Sequence, residues 1–403
     1  MSIAGGVFVW GRQCYSLAGP SGGQRVPLAS LQRSGASRED QVIVSRSIGR
    51  VGIWLLWGTT LVESCGARAW AAPPQGLPRT VETSAQELIT PRAEQAIERG
   101  LQYLVRSQRP NGSFGSGTSY EGHVAVTALS GMAMLASGSS PGRGPYGEPL
   151  ERAVTYVLNN VTATGLITSP EHRNMNPMYG HGFATLFLAE VYGMTNDDRI
   201  RDKLKLAVKL IITSQNKEGG WRYFPVRREA DVSATVCQMM ALRAARNAGI
   251  AVPKSTVDAC VEYIRRCQNP DGGFAYMLSG GGMGMGSLMP RSAAGVVVLY
   301  NAGVYEDPQI ERGLRYLQEQ AFQPVQFRQE GFYFYGQYYA AQAMWYAGGD
   351  YWRRWFPRVR DDLISQQQTA GNWIDSTVCP EYGTAMACIV LQLSNNCLPI
   401  FQR

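Results

Sequence analysis

The chain of 403 residues contains three histidines, and two of them, His123 and His181, stand at the head of strongly apolar segments, as does Asp231 in the run DVSAT. A carboxyl and two imidazoles are side chains suited to moving protons near neutral pH. Other apolar segments open with Arg291, Tyr338 and Glu381, and Glu121 lies two residues ahead of His123. Set side by side, these residues could act as a proton-transfer site, with Asp231 as the acid and His123 or His181 as its partner. Glu121, Arg291, Tyr338 and Glu381, with Trp345 below them, would then contact the ligand. Helix capping is the competing account and suits Asp231 and Glu381, but Arg at a helix N-terminus opposes the dipole and His181 has no such role. No CxxC pair or Cys/His zinc spacing occurs, so neither metal nor cofactor is expected.

The elements that must position these residues emerge from a repeat. Gln108-RPN-Gly112-Ser-Phe114 recurs as Gln215-NKE-Gly219-Gly-Trp221, Gln268-NPD-Gly272-Gly-Phe274 and Gln367-QTA-Gly371-Asn-Trp373. Two of the intervals are about twice the third, which predicts degenerate copies midway, with Val161 and Ala321 in the Gln column and Gly165 in the Gly column. Tyr103, Tyr156, Tyr263 and Tyr316 then share a column of their own. Six units fill residues 92–403.

Each unit reads as two helices. The first is amphipathic, as in RIRDKLKLAVKLIITSQ, where Ile200, Leu204, Ala207 and Ile211 form one stripe. The second is apolar all round, as in HGFATLFLAEVYG and DVSATVCQMMAL; beyond the leading residues, Glu190 is the only charge in the six such segments, taken as ending at Leu242 in the third. Wet-faced helices alternating with fully buried ones predict two concentric layers. The terminal copies are no more polar than the middle ones, which favours closure over an open solenoid. The expected fold is therefore an all-α, α6/α6 toroid with an apolar central cavity, its Gln-Gly-aromatic motif serving as a joint: the amide satisfies loose backbone groups, the glycines permit the reversal and the ring covers it.

These joints resemble the repeats of the squalene-hopene cyclase and protein prenyltransferase superfamily over residues 92–403. The resemblance implies the toroid and, for the ligand, an isoprenoid or other lipid tail. It also sets limits. Cyclases of that type use Asp-x-Asp-Asp followed by Thr, whereas this chain has Asp231-Val-Ser233-Ala234-Thr235, so the proton donor's position holds Ser. The zinc ligands of the prenyltransferases align with Ala294 and Val296, and the fifth repeat has no His. Cyclase or isomerase chemistry at Asp231, lipid binding without catalysis, an envelope protein that grips a peptide or protein partner, and a carbohydrate-active toroid with two carboxylates across a cleft all stay open. Asp197, Asp198 and Asp202 read as outer-helix capping residues, not a metal-diphosphate site. SGGGMGMGSLMPR (279–291) could be a lid, and most aromatics of 330–356 read as packing, with Tyr338 and Trp345 as the exceptions.

Ahead of the repeats, residues 1–71 read as a leader and 72–91 as a linker. Arg46 and Arg50 precede the apolar run 51–62 and then Ala69-Trp-Ala71, the layout of a secretory signal cleaved near Ala71, with a translation start near Val44 accounting for the excess length. A lipoprotein site at Cys65 is disfavoured by Glu63. An exported location, periplasm or cell envelope, follows. Residues 1–80 carry net +5 of the formal +7, so the repeats are nearly neutral and a nucleic-acid surface is not expected. The six cysteines after the leader read as buried thiols, with a bond from Cys379 to a neighbour permitted by export.

Overall fold

The computed structural model describes residues 86–278, 285–321 and 332–402. The expected leader and the tip of the glycine-methionine segment lie outside them. Among the described residues, twelve long helices alternate between two layers. The outer layer is α1 (Pro91–Ser107), α3 (Gly147–Asn159), α5 (Asp198–Ser214), α7 (Lys254–Arg266), α9 (Pro308–Ala321) and α11 (Gly349–Gln366). The inner layer is α2 (Val124–Ala136), α4 (Pro177–Thr195), α6 (Val232–Asn247), α8 (Met289–Asn301), α10 (Tyr333–Ala347) and α12 (Pro380–Gln392).

Patterning decides the layer. In α5 the buried residues are Ile200, Leu204, Ala207, Val208, Ile211 and Ser214, a single stripe against the core. Its N-terminus is capped by Asp197, which accepts from the Arg199 amide at 2.8 Å, so this carboxylate has the structural role its position implied. Every residue of α2 is buried. The inner helices pack in the order α2, α4, α6, α8, α10, α12, and α12 packs back on α2; in the outer layer α11 closes on α1. The ring is shut.

The joints show how neighbouring repeats are tied. Gln215 Nε2 donates to the Gly219 carbonyl of its own turn at 2.8 Å and to the Thr256 carbonyl of α7 at 2.9 Å. Gln108 and Gln268 make the same pair of bonds, to Gly112 and Pro149 and to Gly272 and Gln309. Gln367 donates to Gly371 and then to Ala96 of α1, so the last repeat is bound to the first. The second acceptor thus lies in the next outer helix, not in the inner helix that follows the turn. Gly219 has φ +102, and a Cβ there would collide with the Ala259 carbonyl, so only glycine lets the turn lie against α7. The degenerate second copy keeps this device: Gly165 has φ +89 and abuts the Leu206 carbonyl.

A further column completes the joint. The main-chain N–H groups of Phe114, Trp221, Phe274 and Trp373 donate to the hydroxyls of Thr127, Thr235, Ser292 and Thr384, one turn into each inner helix. Thr235, which the cyclase resemblance had singled out, is one of this structural set. The six cysteines Cys237, Cys260, Cys267, Cys379, Cys388 and Cys397 are free thiols, all but Cys397 buried.

Candidate active site

The hydroxyl column fixes the true register of the inner ring. In the second repeat His181 stands in for the hydroxyl, its Nδ1 accepting from the Ile167 amide at 3.1 Å. His181 is therefore a turn inside α4, level with Thr235 and not with Asp231. Counting back one turn from each joint acceptor, the helix heads are His123, Pro177, Asp231, Leu288 and Pro380. The polar group expected from sequence, Glu121 and His123 with His181, Asp231, Arg291, Tyr338 and Glu381, is not assembled at one level. Arg291 is the third residue of α8, buried and donating to the Gly286 carbonyl. Tyr338 is the sixth residue of α10. Glu381 is buried one residue past the head of α12 and accepts from Ser116 Oγ at 2.8 Å. Glu121 is exposed and ion-paired to Arg109.

The two expected imidazoles are committed to structure. His123 caps α2, accepting from the Ala125 amide at 3.1 Å. Its ring meets the edge of His172 at 4.6 Å, and His172 shares a 2.5 Å hydrogen bond with Ser169. Burial pushes His123 down to about 3, with His172 adding to the effect. Burial likewise pushes His181 down to about 4 against a smaller upward pull from the Ala207 backbone. Both are neutral at pH 7. Sequence reasoning missed His172, whose only signal was being the third histidine of the chain.

Asp231 differs. It is wholly buried and caps α6 through one oxygen, accepting from the Ala234 amide at 2.7 Å. The other oxygen, Oδ2, has no hydrogen-bond partner, and Arg222 Nε lies 3.8 Å from it. Arg222 is ion-paired to Glu229 and lies over the Tyr223 ring. Burial raises the Asp231 carboxyl to about 7, opposed by the Ala234 amide, by Arg222 and by the neighbouring Tyr276 hydroxyl. Tyr276 and Tyr223 share a hydroxyl bond of 2.6 Å, Tyr179 lies beside Tyr223, and Tyr335 donates to the Ser233 carbonyl. Four tyrosines from four separate segments thus surround a carboxyl that is about half protonated at neutral pH.

Below this level the axis is filled. Phe183 of α4 and Tyr338 of α10, on opposite sides of the ring, meet at 6.2 Å between ring centres. Tyr339 of α10 reaches Cys237 Sγ of α6 at 3.4 Å, and Tyr335, Tyr338 and Tyr339 stack edge to face. These aromatic contacts cross the ring at the depth where the small residues of the inner helices had suggested an apolar cavity. Trp345 lies deeper still, donating its Nε1–H to the Phe401 carbonyl. Among the described residues no cluster of three metal-ligating side chains occurs.

Two closed layers of six helices, with a buried acid at the head of the inner ring, define an α/α toroid of the terpenoid cyclase and prenyltransferase type. The family model described as the prenyltransferase alpha-alpha toroid domain matches residues 84–286, and the chain belongs to this family. Over 182 residues it is 27% identical to drimenyl diphosphate synthase of Streptomyces showdoensis, a match covering 44% of this chain and 32% of that protein. The chain thus matches about a third of the length of this curated relative. Cellobiose 2-epimerase from Spirochaeta thermophila DSM 6192 superposes with a TM-score of 0.57 at 12% identity, covering 79% of this chain and 99% of that one. An inactive variant of the α-1,6-mannanase of Salegentibacter sp. HEL1_6, in complex with α-1,6-mannotriose, gives 0.54 at 9%, covering 75% and 99%. At these identities the structural likeness is one of fold alone.

Proposed function

We propose that the protein is an exported, isoprenoid-binding toroid that moves a proton on its ligand through Asp231. The observation that carries this reading is a fully buried carboxyl raised to about 7 among tyrosines, its Oδ2 3.8 Å from Arg222 Nε and without a hydrogen-bond partner. A group titrating there can both give and take a proton at pH 7. A lone carboxyl of that strength is matched to proton transfer at an activated position, as in an isomerisation, and not to protonation of an isolated alkene, since Ser233 and Ala234 stand where a cyclase has further acids. Positive charge developing on the ligand would face the rings of Tyr179, Tyr223, Tyr276 and Tyr335. The name of the curated relative, drimenyl diphosphate synthase, supports an isoprenoid as the ligand class. Because the axis is filled at Phe183 and Tyr338, the ligand is held above them, where Arg222 and the Tyr223–Tyr276 pair cover Asp231 and must swing aside on binding.

Export rests on the leader pattern at 46–71. Lipid extraction of the purified native protein followed by mass spectrometry tests the ligand class, and incubation of the recovered species with wild type and Asp231→Asn tests the chemistry. A bound isoprenoid, turned over by wild type and only retained by the variant, supports the proposal. Protein free of isoprenoid, or equal turnover by both, overturns it.

A second reading, a module that grips a partner protein, is favoured by apolar side chains on the loops around the same mouth: Phe224 (42% exposed), Val226 (50%) and Ile374 (58%). The carbohydrate reading has the epimerase and the mannanase as fold relatives. It ranks below both because Glu121 is paired to Arg109 and Glu381 to Ser116, so neither is free to work opposite Asp231.

A further inference from the structure

At the far end of the inner ring, opposite Asp231, residues 398–402 fold back across the helix ends. Leu398, Ile400 and Phe401 are buried, and the short turn Pro399–Phe401 packs on α6. The hydrogen bonds that tie this segment to the inner helices are to its main chain. The Ile400 N–H donates to Glu190 Oε2 of α4 at 3.3 Å, and Tyr346 of α10 donates its hydroxyl to the Ile400 carbonyl at 2.5 Å. Trp345 donates to the Phe401 carbonyl at 3.0 Å, and Arg243 of α6 to the Gln402 carbonyl at 2.8 Å. Arg243 also donates to the Tyr300 carbonyl of α8 at 3.3 Å and to the Tyr305 hydroxyl, and lies over the Tyr346 ring. Two buried charged side chains and two aromatic donors, from three inner helices, thus converge on three consecutive residues.

We propose that residues 398–402 are a latch closing this end of the toroid and that Glu190 is its pH-sensitive catch. The charged and titratable groups that face Glu190 are Arg243 from α6 and Tyr338 from α10, with Tyr300, Tyr305 and Tyr346 grouped around Arg243. Burial dominates and lifts Glu190 from 4.5 to about 8, while the Ile400 amide and Arg243 pull it down. Lifting the latch brings water to the carboxyl, which then returns toward its ordinary value. The closed form therefore binds the proton more tightly, so its stability is complete below about 4.5 and is lost as pH rises through 8. Between those limits the opening equilibrium should shift by on the order of a thousandfold.

Amide hydrogen exchange of Ile400 and Phe401, corrected for the intrinsic base-catalysed rate and followed from pH 5 to 8.5, tests this in the intact protein. Wild type should show an opening constant for these amides that climbs a hundredfold or more, while the amide of Leu129, in the middle of α2, changes far less. Glu190→Gln keeps an acceptor for the Ile400 N–H and cannot titrate, so its profile should be flat. Latch and Leu129 amides that accelerate together would mean global unfolding and overturn the proposal, as would superimposable wild-type and Glu190→Gln profiles. Should Glu190→Gln fail to fold, the wild-type comparison of latch and core amides decides alone. The outcome is independent of Asp231 and of the proposed ligand.

Discussion

The substitution Asp231→Asn should make the protein more stable at neutral pH, although it removes the proposed catalytic acid. Asn caps helices about as well as Asp, so the bond to the Ala234 amide survives. What disappears is a buried group whose carboxyl is raised from 3.8 to about 7. The folded state binds that proton more tightly than the unfolded chain, so its stabilising effect is fully present below pH 3.8 and is lost as pH rises through 7. Each pH unit across that window is worth about 1.4 kcal/mol, and the full interval on the order of 4 kcal/mol. Urea unfolding of wild type and variant at half-unit steps from pH 4 to 8 measures the difference, and Glu190, common to both, cancels in the subtraction. The two should have similar midpoints at pH 4 and diverge steadily in favour of Asn up to pH 7, then run parallel. Parallel curves across the whole range would refute the reasoning, because they would mean the carboxyl titrates alike folded and unfolded.

Other consequences can be checked in the same protein. Gln367→Leu breaks the bonds to Gly371 and Ala96 that tie the last repeat to the first, and chemical denaturation should show a loss of about 1–3 kcal/mol. Gly219→Ala places a methyl against the Ala259 carbonyl at φ +102 and should cost about 3 kcal/mol or more, seen as a drop in melting temperature. Thr235→Val keeps the shape but leaves the Trp221 N–H without its acceptor, for a loss of about 1–3 kcal/mol by denaturant titration. Phe183→Ala removes one side of the contact across the axis and should cost about 3–5 kcal/mol while admitting longer apolar ligands, measured by calorimetric binding of a prenol series.

The toroid was legible because its signals are local and repeated: the joints recur, the outer stripes have helical period, and α2 shows no wet face. The register of the inner helices was not, because the apolar segments carry no mark of where their helices start. Choosing the first polar residue as the head set His181 at the helix start, a turn outward of its place inside α4, and misplaced Arg291 and Tyr338. The mark exists in the small polar side chain that accepts from each joint aromatic, but Thr127, Thr235, Ser292 and Thr384 look like ordinary helix residues until the bond is seen. Asp231 drew attention through its motif. The tyrosines around it, Tyr179, Tyr223, Tyr276 and Tyr335, did not, because they come from four segments that only the closed ring brings together. Glu190 stood out as a lone charge in apolar sequence, and Arg243 lies one residue beyond the third inner segment as first delimited at Leu242.

The account depends on Asp231 holding a proton about half the time at pH 7. Carbon-13 NMR titration of side-chain carboxyls in the intact protein, with the Asp231 signal assigned by its absence from Asp231→Asn, measures this directly. A midpoint near 7 is the predicted result; a midpoint near 4, that of an ordinary solvated aspartate, would contradict it.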